Sequence, residues 1–182
     1  MAFLNRPIDF PPMAINWRSY SVWNAAAFQV AWPLCVLGGN AIALAVTLCF
    51  LAAHLYIAQN RLLELGFIAF CAVIGLIVDM MLLASGILVW HSSLPPLWMS
   101  CLWVLFGGCV GHSFKWFDQR LVLAGAFAGL FAPLSYLAGT RLTQVGLREP
   151  EFTSLVIIAC AWAFIFPSLL HSHRLLLRRH SQ

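Results

Sequence analysis

Asp79 is a carboxylate in the middle of an apolar run, Glu64 to Trp90 (ELGFIAFCAVIGLIVDMMLLASGILVW). That run is long enough to cross a bilayer, which takes about 20 residues at about 1.5 Å each. A carboxylate at the centre of a membrane helix costs about 2.5–3.5 kcal/mol, so it faces protein or a water-filled cavity and has a partner. Three kinds of chemistry suit it: a proton or cation site, an anchor for the polar end of a lipid, or a hydrogen bond that holds helices together. The groups expected at similar depth are Gln29, Trp32 through its indole N–H, Ser135 and Tyr136, with Arg141 reaching in from the outer surface. No Lys or Arg falls inside an apolar span, so a neutral or water-linked carboxyl is the expected state.

Histidines form the second group able to do chemistry. His54, His112, His171 and His173 are expected at one end of the bundle, and His91 at the other. Imidazoles at one level suit a metal or a haem, and the His171-x-His173 pair is a plausible start for a ligand set. The H-x-x-x-H and H-x-x-H-H spacings of membrane di-iron enzymes are absent. The expected cofactor is therefore none; if a metal binds, those four histidines are its candidates. A nucleophile elbow, a phosphate loop, a carboxylate pair and a dinucleotide fingerprint are also missing, so the sequence leans away from an enzyme.

The elements that must position these groups follow from composition. Of 182 residues, 62% are hydrophobic and 9% charged, where a soluble domain carries about a quarter charged. An integral membrane protein is expected, all-α, a polytopic bundle of six transmembrane helices. The spans run at about 22–37, 41–58, 64–90, 97–114, 121–138 and 152–170, with Gly38-Gly39-Asn40 as the first tight turn. Residues 1–21 then form a short cytoplasmic arm ending in Trp17 and Tyr20 as interfacial anchors. Residues 22–170 form the membrane domain, and 171–182 a basic cytoplasmic tail. Of the 10 Lys and Arg, only Arg141 and Arg148 fall outside under this topology. That bias puts both termini in the cytoplasm. It also accounts for the net charge without nucleic acid as a partner. The six cysteines all lie in apolar segments and read as small buried hydrophobes.

Packing signals are weaker. Gly107-x-x-x-Gly111 and Gly125-x-x-x-Gly129 put small residues on one face of the fourth and fifth spans, which are expected to pack on each other. Pro33, Pro133 and Pro167 fall inside spans and bend them. Trp32, Trp103 and Trp162 lie deeper than the interfacial tryptophans and are candidates for lining a pocket. The first and fourth spans share an aromatic-apolar-Cys-Gly rhythm, but the other spans show no matching repeat.

The series NAAAFQVAWPLCVLGG, GLIVDMMLLASGIL, LPPLWMSCLWVLFGG and GAFAGLFAPLSYLAG resembles a family of small bacterial inner-membrane proteins catalogued only as a domain of unknown function. The likeness runs from about Asn24 to Gly146 and excludes the histidine-bearing tail. It implies that Gln29, Trp32, Asp79, Pro96, Trp98, Leu102, Trp103, Pro133, Tyr136 and Gly139, with Gly129 or its neighbours, are the recurring positions. It also implies a multi-pass protein of the bacterial inner membrane. Members of that family are often encoded beside lipid-modifying enzymes such as cyclopropane-fatty-acid synthases, which implies a link to membrane-lipid chemistry. The leading expectation is a non-catalytic protein that binds a membrane lipid or isoprenoid and presents it to a lipid-modifying enzyme. Asp79, Gln29 and Tyr136 would hold the polar end, and Trp32 and Trp103 the chain. The rivals are a small proton-coupled transporter or lipid flippase using Asp79, and a membrane-embedded enzyme acting on a lipid.

Overall fold

The computed structural model describes residues 17–180. Of the expected N-terminal arm, 1–16 lie outside the described residues, as do 181–182 of the tail. Five α-helices form: α1 (Trp17–Ile57), α2 (Arg61–Ala84), α3 (Leu97–Val110), α4 (Leu121–Leu142) and α5 (Glu151–His180). Two-residue strands β1 (Leu88–Val89) and β2 (Gly146–Leu147) pair antiparallel, with Leu88 opposite Leu147. Every helix except α3 is long and apolar enough to cross a membrane. The outer surface fits that setting: Val122 is 90% exposed, Leu62 83% and Phe164 77%. Side chains of this kind in large contiguous patches are a liability in water and are at home against lipid tails.

Six helices are expected from the sequence and five are found. The first two expected spans run together as α1, because Gly39 bends the chain without separating the two hydrogen-bonded ladders. Its φ of 66° and ψ of −169° are not helical. A side chain is strongly disfavoured there. The bend is sharp enough to fold α1 back on itself. Tyr20 and His54 stand 34 residues apart, about 51 Å along a continuous helix, yet the Tyr20 hydroxyl lies 2.8 Å from His54 Nδ1. α1 is thus a hairpin of two arms turning at Gly39. The fourth expected span, 97–114, is helical only to Val110 and then breaks into turns at Gly111.

Two further expectations change. α5 continues to His180, so residues 171–180, expected as a tail, are helical and follow the sixth span without a break. Tyr20, expected as an interfacial anchor, is buried against His54, within α1.

One stability prediction isolates the Gly39 turn. A Cβ at Gly39 and one at Gly66 would both enter open space, so neither Gly39→Ala nor Gly66→Ala is opposed by packing. Gly39→Ala is expected to cost about 1–3 kcal/mol through backbone strain. Gly66→Ala, inside α2, is expected to gain up to about 1 kcal/mol of helix propensity. Opposite shifts of thermal unfolding in detergent are the outcome that checks this.

The helices pack in two groups. α3 lies against both α1 and α2, while α4 packs chiefly on α5. The two small-residue pairs do not face each other, and Gly111 faces His173 on α5. A Cβ at Gly107 would stand 3.0 Å from Cys71 Cβ on α2, and one at Gly125 would stand 2.8 Å from the Ala163 carbonyl oxygen on α5. Gly129 faces Ala159 and Ala163 in the same way. Between the α1–α2–α3 group and the α4–α5 pair runs a seam, bridged at one end by the β1–β2 pairing.

Candidate functional site

Asp79 sits at that seam with no exposed surface. Its position on α2 is set one turn earlier by Gly75, which lies on the same helix face. A Cβ at Gly75 would fall within the indole ring of Trp103, so only glycine leaves room for that ring against α2. With the ring seated there, Trp103 Nε1–H donates to Asp79 Oδ2 at 2.9 Å. Across the seam, the Tyr136 hydroxyl on α4 donates to Asp79 Oδ1 at 2.7 Å. Both carboxyl oxygens are therefore satisfied, by α3 and α4, and no cation pairs with Asp79 among the described residues.

Of the partners expected for Asp79, Tyr136 is in place. Arg141 is not: it is 65% exposed at its side chain and pairs with Glu151 at 2.6 Å. An exposed pair of this kind contributes about 0–1 kcal/mol. Gln29, Trp32 and Ser135 make no hydrogen bond to the carboxylate, yet all three border the same cavity as Asp79. The deciding partner, Trp103, was expected in the site as a hydrophobic wall and serves as a donor as well.

That cavity has a volume of about 360 Å³ and runs along the seam, within the range of about 300–1,000 Å³ usual for small-molecule sites. All five expected binding residues line it: Gln29 and Trp32 from the first arm of α1, Asp79 from α2, Trp103 from α3 and Tyr136 from α4. The three deep tryptophans are there too, and Trp103 and Trp162 stack at 4.7 Å between ring centroids, 14° from parallel. Phe106 meets Trp162 edge-on at 5.3 Å, continuing the aromatic wall. No Lys, Arg or His is among the lining residues. The arrangement suits an apolar chain with one uncharged polar group and lacks the cation that a phosphate would need.

A second polar centre lies at one end of the bundle. Asn60 caps α2, its Oδ1 accepting from Leu63 N–H at 3.1 Å, and places Glu64 in the first turn. Glu64 Oε2 lies 3.3 Å from His54 Nε2 on the second arm of α1, and Oε1 lies 3.2 Å from His112 Nε2 just beyond α3. The two imidazoles meet edge-on at 5.0 Å. His173 is buried close by, its ring 4.7 Å from that of Phe67, with Nε2 against the backbone of Gly111. His171 does not join them: it is exposed on the opposite face of α5. Of the four expected histidines, His54 and His112 come together on Glu64, and His173 packs on Phe67 and Gly111 outside that set. The organising residue, Glu64, was missed in the sequence, although it opens a helix at the level where His54 ends one.

A family model matches residues 21–168. The chain belongs to the DUF2878 family, proteins of unknown function. The match covers the helices that line the seam and bears out the likeness seen in the four aromatic and glycine-bearing segments. No curated protein and no solved structure matches the chain. Membership in DUF2878 therefore assigns no residue a role, and the chemistry of this member has to be argued from the cavity and the polar centre themselves.

Proposed function

We propose that this protein is a multi-pass protein of the bacterial inner membrane that holds the apolar chain of a lipid or isoprenoid in the seam cavity, as an accessory to a lipid-modifying enzyme. The observation that carries the reading is the cavity itself. It is aromatic-walled and cation-free, with Asp79 hydrogen-bonded to Tyr136 inside it and the uncharged polar side chains of Gln29, Ser135 and Thr140 on the same lining. A ligand matching those walls buries a hydrocarbon chain and presents at most a hydroxyl or similar neutral group to Asp79, with any charged headgroup outside.

The topology that goes with this reading has six crossings, α1 supplying two of them through its turn at Gly39. α3, short as it is, crosses within the bundle, screened by α1 and α2. Successive connections then alternate between the ends of the bundle. Arg61, Lys115, Arg120, Arg174, Arg178 and Arg179 gather at the end that holds Glu64, and Arg141 and Arg148 at the end that holds the β1–β2 pair. By the positive-inside rule the Glu64 end is cytoplasmic, and with it both termini.

Mass spectrometry of lipids retained through gentle purification tests the proposal, comparing the wild type with Asp79→Asn at matched thermal stability. Asn offers one acceptor and one donor group where two donors converge, so it can serve both Trp103 and Tyr136 only if the Tyr136 hydroxyl turns from donor to acceptor. One lipid class enriched in the wild type and depleted in the variant is the expected result. Retention of bulk lipid only, by both, removes the binding reading. Proton uptake into liposomes that depends on Asp79 would instead favour a proton-coupled transporter.

A further inference from the structure

The polar centre at the Glu64 end makes no use of the cavity, and its residue types are those of a metal site. We infer that His54, Glu64 and His112 bind a divalent first-row transition metal ion of the zinc class. The three side chains come from three separate elements, and one donor atom from each lies within 4.8 Å of the other two. Around a tetrahedral ion with bonds of about 2.0–2.2 Å, neighbouring donors stand about 3.4 Å apart. The two imidazole nitrogens already stand 3.3 Å and 3.2 Å from the carboxylate oxygens of Glu64. These are two different oxygens, so Glu64 bridges the imidazoles, and side-chain rotation has to draw one donor from each residue in from within 4.8 Å to close the set on an ion.

Two observations beyond the cluster point the same way. His54 faces Glu64 with Nε2, and the Tyr20 hydroxyl meets its Nδ1 at 2.8 Å. A partner on the second nitrogen fixes the tautomer and the ring plane of a metal-bound imidazole. His173 is 4% exposed, and its Nε2 has no hydrogen-bond partner among the described residues. That nitrogen is directed at Gly111, next to His112, where a Cβ would collide with it. An unpartnered buried imidazole nitrogen is costly to leave unused. It lies outside the set of three donors, as a polar neighbour of the site.

Donor chemistry selects the ion. Imidazole with a single carboxylate suits zinc, iron, nickel or copper, whereas magnesium and calcium take oxygen ligands. The alternative occupant of the same geometry is no ion at all, only a carboxylate hydrogen-bonded between two imidazoles.

Cobalt and zinc titration of the full chain, carried on a tag without histidines and stripped with chelator in detergent, separates the two. Expected are one equivalent of zinc per chain, visible d–d absorption bands when cobalt replaces it, and a rise in melting temperature on loading. Glu64→Gln keeps the shape and a hydrogen-bonding group but loses the carboxylate ligand, and should weaken binding by more than tenfold. Tyr20→Phe should weaken it by about tenfold or more, and His171→Gln should leave it unchanged. Absence of stoichiometric uptake by the wild type overturns the inference whether or not any variant folds. Undiminished uptake by folded Glu64→Gln and His112→Gln overturns it too. Lipid retention is read separately, so failure here leaves the cavity proposal standing, and the reverse also holds.

Discussion

Gly75→Ala is expected to be among the most damaging single-methyl changes in this protein, lowering stability by about 3 kcal/mol. In an ordinary helix interior the same substitution would gain up to about 1 kcal/mol. Here the added Cβ lands inside the Trp103 ring, and the ring has to leave. Its departure disturbs the stacking on Trp162 and takes away the indole donor to Asp79 Oδ2. Overpacking costs about 1–3 kcal/mol, and a buried oxygen left without a donor costs about 1–3 kcal/mol more. Thermal unfolding in detergent, followed by tryptophan fluorescence, measures the loss, with Gly66→Ala as the control whose Cβ meets nothing. Equal stability of Gly75→Ala and the wild type would show that Trp103 does not pack in the gap at Gly75.

The second large effect is a coupling across the seam. Tyr136→Phe removes the donor to Asp79 Oδ1 and leaves a buried acceptor unpaired, at a cost of about 1–3 kcal/mol. Asp79→Leu removes the acceptor and strands two donors, the Tyr136 hydroxyl and the Trp103 indole. In the Asp79→Leu background the Tyr136 hydroxyl has already lost the acceptor that Asp79 Oδ1 provided. Tyr136→Phe should then cost much less, with a coupling energy on the order of 1–3 kcal/mol in the double-mutant cycle. Denaturant titration of the four proteins supplies the cycle. Additive effects of the two substitutions would mean that the bond contributes nothing to holding α4 against α2.

Much of this was legible in the residues. The length and apolarity of the segments gave the membrane-suited helices, and Gly38-Gly39-Asn40 marked the place where α1 folds back. A lone carboxylate in an apolar run announced that it needed a partner, and the polar and aromatic residues at matching depth were the ones that now line the cavity. What stayed hidden is contact between elements far apart in sequence. Gly125-x-x-x-Gly129 identifies a close-packing face but does not say which helix fills it; the partner is α5 because Ala159 and Ala163 present small residues in return. Trp103 became a donor because Gly75 vacates the space beside Asp79, a pairing visible only once α2 and α3 are placed together. In the sequence Glu64 stands only as the first residue of the apolar run that holds Asp79. Only the hairpin of α1 and the end of α3 bring His54 and His112 to its two oxygens.

The central claim is that an apolar chain occupies the seam between the α1–α2–α3 group and the α4–α5 pair. Photocrosslinking with a lipid carrying a diazirine near the middle of its acyl chain, followed by peptide mapping, tests it most directly. Adducts are expected on cavity residues such as Leu102, Ala132 and Trp162, and their loss in Gly75→Ala, where the displaced Trp103 ring disrupts the cavity wall. Adducts confined to outward-facing side chains such as Leu62, Val122 and Phe164, equal in both proteins, would contradict it.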